Sequence, residues 1–425
     1  MKCPCKKIIQ VSAVILFVLL SVEFLLRFID PSSLSYYRNV KMLHVYHPDY
    51  FVALKPDADF YIRHHSGLWE GRFTTNSRGF RATSEEDHSR PHLACLGDSL
   101  VMGFGVSDHE TFCSLLDGVE IDNKKFQTFN LGVDAFGSLG YLKRLREVSG
   151  SMQLDTVLLF VSANDFTMVP DLRALGYLSD DETDEFRMNN SSEKLKFRLQ
   201  FEATRLSYTL MALKLAAEHL QIKRVQFAAS MIEELEKSGI LPSDRADAGI
   251  FKYIKFTFYR FPAKKDCSGH NVTPSSPPES CPWEIPVNQK CYKLSDPEMS
   301  LPELPEITSD AYDAMIALSR EKGFRLVPVM FPVNASAMYC LMNNLESQEY
   351  VFAHQMKLFF EKRGVPVMDL SPYVKNICNI RSGFPGAEER SPGMWDIIIR
   401  GDGHLTRAGN RWIADSIVKE LHRVR

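Results

Sequence analysis

An α/β fold built on a mostly parallel sheet is expected, preceded by an N-terminal transmembrane helix and interrupted by a large helical and irregular insertion. Three observations lead there. Short apolar runs at 92–96, 126–131, 156–161, 324–330 and 365–370 alternate with stretches of helical spacing, and strands apolar on both faces need cover on both sides. Lys2, Lys6 and Lys7 precede a long apolar run at 8–29. Between 170 and 310 the strand–helix rhythm breaks.

The apolar run comes first. About 20 helical residues cross a bilayer, and 8–29 meets that length once Glu23 and Arg27 are accommodated. A charge at the helix centre costs roughly 2.5–3.5 kcal/mol, and less near an end. Glu23 and Arg27 are four residues apart, so they can pair on one face near the exit, where Pro31 stops the helix. A cleaved signal peptide is the alternative, but no small-x-small cleavage pattern follows, so an uncleaved signal-anchor is favoured. The positive residues place 1–7 in the cytoplasm and the chain from 30 onward outside it. That side is the periplasm in a bacterium or the secretory lumen in a eukaryote.

Residues 30–90 read as an extended, aromatic-rich lead-in with a turn at 74–79, and 91–425 as the main domain. Each of its strands reads as a buried run, with 92–96 ending at Gly97 and 126–131 leading into Gly132. Helices are expected from 111 onward and at 139–148, 347–362 and 405–424, the last carrying a stripe of Leu405, Ala408, Trp412, Ile413, Ile417 and Leu421. The insertion at 170–310 contains a long helical stretch, 193–237, and a Pro-, Ser- and Cys-rich stretch, 262–305. Ligands of such folds bind at the carboxyl ends of strands, so the insertion is expected to cover or shape that edge. The other reading is a loop-rich excursion away from the site.

Composition narrows the function classes. The 425 residues carry 50 basic and 53 acidic side chains, so no polyanion-binding signature exists and nucleic acid is an unexpected partner. With 24% charged and 11% aromatic residues, the chain is neither disordered nor a small disulfide scaffold. A mean hydropathy of -0.17 excludes many membrane spans but not one. No C-x-x-C pair or histidine cluster has zinc spacing, so no metal site is expected. Cys3 and Cys5 are possible acylation sites or free thiols, and Cys95 and Cys113 suit buried small apolar positions. In an oxidising compartment a disulfide within 267–291 is expected, leaving an odd partner unassigned, with Cys340 and Cys378 later in the chain. Sequons begin at Asn189, Asn190, Asn271 and Asn334 and matter only in a eukaryotic secretory host.

Four blocks carry chemistry. Leu96-Gly97-Asp98-Ser99-Leu100 follows a strand, where a serine on a sharp turn projects its hydroxyl at the sheet edge. A hydroxyl needs a base oriented by an acid to become a good nucleophile. The elbow Gly-x-Ser-x-Gly is not met, because Val101 holds the last position. Gly401-Asp402-Gly403-His404 could supply acid and base from one local turn, although Asp402 alone also suits a cap and His404 a solvated surface. Ser162-Ala163-Asn164-Asp165 follows the 156–161 strand; Asn164 could donate to an oxyanion, a contribution of about 3 kcal/mol, or form an Asx turn. Asn130 to Gly137 ends another strand with glycines that could present amides.

In this order the blocks resemble the SGNH subgroup of the GDSL esterase/acyltransferase family, over about 91–170 and 324–425. The anchor and the turn at 74–81 look like membrane-anchored bacterial members. The resemblance implies a three-layer α/β/α sandwich with Ser99 as nucleophile, His404 as general base and Asp402 orienting it. Asn164 and the Ser99 amide would be oxyanion donors, and no metal or organic cofactor would be needed. The family's second-block glycine aligns with Ala135, flanked by Gly132 and Gly137; alanine keeps the amide if its backbone angle allows. The family's Asp stands three residues before His, where this chain has Gly401; the shorter spacing is similar to that of glycan-acetylating relatives. The implied activity is an extracytoplasmic esterase or O-acyltransferase acting on an acyl, foremost acetyl, group of a glycan, lipid or small ester. The rival expectation is a catalytically silent binding or assembly protein on the same scaffold.

Overall fold

A computed structural model describes residues 4–121, 123–134, 136–161, 191–217, 219–220, 291, 293, 304–332, 335–342, 345, 351–374, 397–399 and 402–421. Five strands are labelled in chain order: β1 His92–Leu96, β2 Gln127–Asn130, β3 Thr156–Val161, β4 Arg325–Met330 and β5 Met368–Asp369. The labelled helices are α1 Pro4–Ile29, α2 Ser32–Met42, α3 Ser99–Met102, α4 Phe112–Leu115, α5 Ser138–Ser151, α6 Ser191–Leu206, α7 Glu306–Lys322, α8 Ala335–Met342, α9 Val351–Glu361 and α10 Arg407–Leu421. The chain divides into two compact units, one of Met1–Tyr46, Arg63–Gly67 and Asn190–Lys264, the other of His47–Ile62, Leu68–Asn189 and Lys265–Arg425.

In the first unit, α1 contains Ile9–Ile29, 21 residues long and apolar enough to cross a membrane, with none of its hydrophobic window buried. At 1.5 Å per residue it reaches about 30 Å, the thickness of a bilayer's hydrocarbon core. The irregular lead-in expected after it begins instead with a helix, α2. Pro31, extended at φ -56° and ψ 132°, stands at its N-cap, and neither glycine nor proline interrupts 32–42. Leu34 of α2 packs with Tyr208 and Met211, against Leu26 and Leu215. The long helical stretch expected at 193–237 starts as α6, breaks at Ser207 and resumes as Tyr208–Ala217; residues 221–237 lie outside the described ones.

The break at Ser207 is held by the two charges of α1. Arg27 donates from Nη2 to the Leu206 carbonyl at 2.7 Å and from Nε to Glu23 Oε1 at 2.7 Å. Glu23 also accepts from the amides of Tyr208 at 3.1 Å and Thr209 at 2.9 Å, and from the Ser207 hydroxyl at 2.8 Å. The last carbonyls and first amides around a helix break lack intrahelical partners. Here one cation and one carboxylate supply them.

In the second unit the five strands form one parallel sheet in the order β5-β4-β3-β1-β2. Leu93 lies opposite Thr156, Cys95 opposite Asn130 and Met330 opposite both Val161 and Asp369. Every residue of β1, β2 and β3 is buried, as expected of a parallel sheet covered on its faces. Helix α7 packs on α5 and β4, and α10 packs on α4 and β5. The expected stripe of α10 is buried, with Trp412, Ile413, Ile417 and Leu421 in the main core. Cys95 and Cys113 are buried free thiols; burial and the adjacent Cys95 push the Cys113 thiol up. Of the three cysteines at 267–291, Cys291 pairs with Cys340 of α8, Cα atoms 5.4 Å apart. The bond joins chain segments that spacing alone does not bring together. Cys267, Cys281 and Cys378 lie outside the described residues.

The lead-in from residue 47, apart from 63–67, belongs to the sheet unit. Its anchor is Arg81, whose side chain is wholly buried. The guanidinium donates to the carbonyls of Met102 at 2.7 Å, Gly103 at 2.5 Å and Val106 at 2.6 Å. It also pairs with Asp108 at 3.3 Å and lies 3.6 Å from the Phe73 ring centroid. Burial pulls its pKa down to about 10 while Asp108 acts the other way, so it remains a cation at neutral pH.

Candidate active site

The strand order reverses direction between β1 and β3, and in open parallel sheets the crevice at the carboxyl ends there is the usual place for a ligand. Ser99 is the first residue of α3, three positions beyond β1. Asp98 caps that short helix by accepting from the Leu100 amide at 2.9 Å, so the conspicuous aspartate of the Gly-Asp-Ser block serves the backbone. The turn ends at Gly103, left-handed at φ 78°, and Arg81 grips the carbonyls on its far side.

His404 comes from the turn before α10. Ile398 bridges Leu405 in antiparallel fashion, and the Asp402 and Gly403 amides both donate to the Ile399 carbonyl, at 3.1 and 2.9 Å. Gly403 takes φ 93°, a region that disfavours any residue with a Cβ. This tight loop turns Asp402 and His404 toward each other.

Three of the residues expected from the sequence meet. His404 Nε2 lies 2.9 Å from Ser99 Oγ, and His404 Nδ1 lies 2.5 Å from Asp402 Oδ1. With Asp402 accepting at Nδ1, the neutral tautomer carries its proton there and leaves Nε2 free to receive the serine proton. The Asp402 side chain is 9% exposed and that of His404 21%, so the acid is shielded while the base can meet a substrate.

A fourth residue joins them that no sequence pattern announces. Trp69, buried in the lead-in, donates its indole N–H to Asp402 Oδ2. Phe104 packs between, its ring 4.9 Å from that of Trp69 and 5.2 Å from that of His404. Both carboxylate oxygens are thereby occupied, and the imidazole has an aromatic wall. No spacing signal links residues 69 and 402; an isolated tryptophan in an aromatic lead-in is the only trace.

The oxyanion candidates are placed less evenly. Asn164 and Ala135 lie outside the described residues. Gly132 has a different, visible role, because a Cβ there would stand 2.2 Å from the Met102 amide nitrogen, so β2 and α3 can approach only with glycine at this position. The Gly132 amide donates to Asn130 Oδ1 at 3.0 Å, and Asn130 Nδ2 donates to the Val101 carbonyl at 2.8 Å. Gly132 and Asn130 thus lock the serine turn to the neighbouring strand. Asn410 of α10 accepts from the Phe112 amide at the start of α4 at 2.9 Å, tying those two helices together.

No family model matches the chain, and no curated protein matches it. One solved crystal structure aligns over 79% of this chain and 98% of its own length, at 9% identity and a TM-score of 0.29, too low to carry an argument. The geometry therefore bears the functional reading. Among the described residues, no group of three or more His, Cys, Asp or Glu is arranged to hold a metal ion. A cavity lined by His88, His92, Ser151 and Asp155 lies at the amino ends of β1 and β3, away from Ser99.

Proposed function

We propose that this chain is a single-pass membrane enzyme of SGNH type, with a three-layer α/β/α catalytic domain outside the cytoplasm. It cleaves or transfers an O-acyl group, foremost acetyl, of a glycan or lipid-linked substrate. The observation that carries the reading is the chain of contacts from Ser99 Oγ to His404 Nε2 and from His404 Nδ1 to Asp402.

In this reaction Ser99 Oγ attacks the ester carbonyl while its proton passes to His404 Nε2. Asp402 stabilises the imidazolium without taking the proton. The tetrahedral oxyanion is met by the first amide of α3 and by the Asn164 side chain and Ala135 amide. The C–O bond to the leaving alcohol breaks as His404 returns the proton to it, leaving acyl-Ser99. Water then attacks with His404 as base, giving an esterase, or a sugar hydroxyl attacks, giving a transferase.

Purified full-length chain in detergent provides the test, with a fluorophosphonate probe and an acetyl ester as substrates. Labelling and acetate release are expected for the wild type and are expected to vanish in Ser99→Ala. Equal labelling and turnover in both would refute Ser99 as the nucleophile, and neither labelling nor turnover in the wild type would favour a binding protein on the same scaffold. Adding an acceptor glycan then separates transfer from hydrolysis by where the acetyl label ends.

A further inference from the structure

The first unit carries an apolar face that its own core does not use. On α6, Leu195, Leu199 and Leu206 are exposed; beyond the break, so are Leu210, Leu213 and Leu220, all six between 44% and 61%. At 3.6 residues per turn, the first three share one stripe and the latter three another. The opposite side holds the buried Phe201, Thr204, Tyr208 and Met211. These two helices thus show leucines on one side and pack against α1 and α2 with the other. Glu202 lies in the leucine stripe and is ion-paired to Arg205, while Lys196 and Arg198 flank it.

What covers this face is indicated by where it is tied. The break at Ser207 is bonded to Glu23 and Arg27, six and two residues before Ile29, the end of the apolar span. At 1.5 Å per residue those attachments lie about 9 and 3 Å inside that end. Their mean, about 6 Å, falls within the depth of about 5–10 Å at which amphipathic helices rest between headgroups and acyl chains. Tyr36 and Tyr37 of α2 follow just beyond the span, as aromatic residues do at membrane interfaces.

We propose that 191–220 forms an in-plane membrane-binding element that sinks its leucines into the same leaflet from which α1 emerges. The proposal rests on the reading that α1 spans a bilayer. Its occupant is lipid: acyl chains against the leucines, and anionic headgroups beside Lys196 and Arg198. The Glu23–Arg27 pair then has a role beyond tolerating the membrane, since it joins the in-plane element to the spanning one.

The test uses full-length protein in phosphatidylcholine–phosphatidylglycerol vesicles whose acyl chains are brominated, read by tryptophan quenching over the wild-type background. Leu199→Trp and Leu213→Trp are expected to lose about half or more of their added emission, most strongly with bromines near the headgroup, as an interfacial helix requires. Gln200→Trp, on another face of α6, is expected to keep its emission. Phe17→Trp in α1 reports the anchor separately and should be quenched most by bromines deep in the chain. Quenching at Phe17→Trp without quenching at Leu199→Trp and Leu213→Trp overturns the in-plane element and leaves the anchor standing; copy-to-copy crosslinking at those positions would then give the face to a second copy. Absence of quenching at Phe17→Trp overturns the anchor and this inference with it.

Discussion

Two carboxylates, Glu23 in the first unit and Asp402 in the second, are each used on both oxygens, yet they do opposite kinds of work. Glu23 holds a cation, two backbone amides and a hydroxyl; three of those four donors cannot change charge at any ordinary pH, and the fourth is an arginine. It is a fixed clasp on a helix break. Asp402 holds an indole and an imidazole, and in the proposed reaction the imidazole gains and loses a proton in each cycle. A carboxylate surrounded by permanent donors builds structure, whereas one facing a titrating ring tunes reactivity.

The contrast is open to direct attack, with the largest effect at the site. Asp402→Asn should keep the fold but lower kcat by about 10³-fold or more, since an amide no longer holds the tautomer or balances the imidazolium. Circular dichroism beside steady-state kinetics checks both halves of that statement. Trp69→Phe keeps the ring and removes one donor, with an expected drop in kcat of about tenfold, one hydrogen bond to a charged group being worth about 1.5 kcal/mol, and KM near its original value. Losing that donor concentrates the charge of Asp402 and favours the imidazolium, so the acid limb of the pH–rate profile should move to higher pH. A merely structural tryptophan would leave the limb in place.

Glu23→Gln should open the break at Ser207 while leaving turnover by Ser99 unchanged. The expected cost is about 1 kcal/mol, as for a lost helix cap, read as faster hydrogen exchange at Tyr208 and Thr209. The smallest effect lies away from both carboxylates. His47 stacks on Tyr50, ring centroids 3.6 Å apart, and burial lowers its pKa from 6.5 against the pull of Glu147. The unfolded chain therefore binds this proton more readily, and the stability it contributes is present above pH 6.5 and lost as pH falls through the lowered value. His47→Gln should flatten that part of the urea-midpoint profile between pH 7 and 5.

How far the sequence can be read follows from the range of the interactions. The strands of the sheet are legible because residues buried on both faces leave unbroken apolar runs. Ser99, Asp402 and His404 are legible because each sits in a short loop whose neighbours are chemically distinctive. Helix α2 is not, since Ser32–Met42 has few apolar residues and buries only Leu34 deeply. The break at Ser207 escapes notice because the groups that stabilise it, Glu23 and Arg27, come 184 and 179 residues before the groups they bond. Trp69 and Asp402 stand 333 residues apart, and the Cys291–Cys340 bond spans 49. Such pairings are set by the folded chain, and no local pattern announces them.

The grip of Arg81 on three carbonyls bears on where this protein can be cut. A fragment beginning at residue 91 would keep Ser99, Asp402 and His404, and on paper would contain a full set of reacting groups. It would also strip the Met102, Gly103 and Val106 carbonyls of their common donor, and Asp402 of its indole. An inactive fragment of that kind would report the loss of a brace, not the absence of a nucleophile. The smallest portion worth expressing for assay therefore starts before His47.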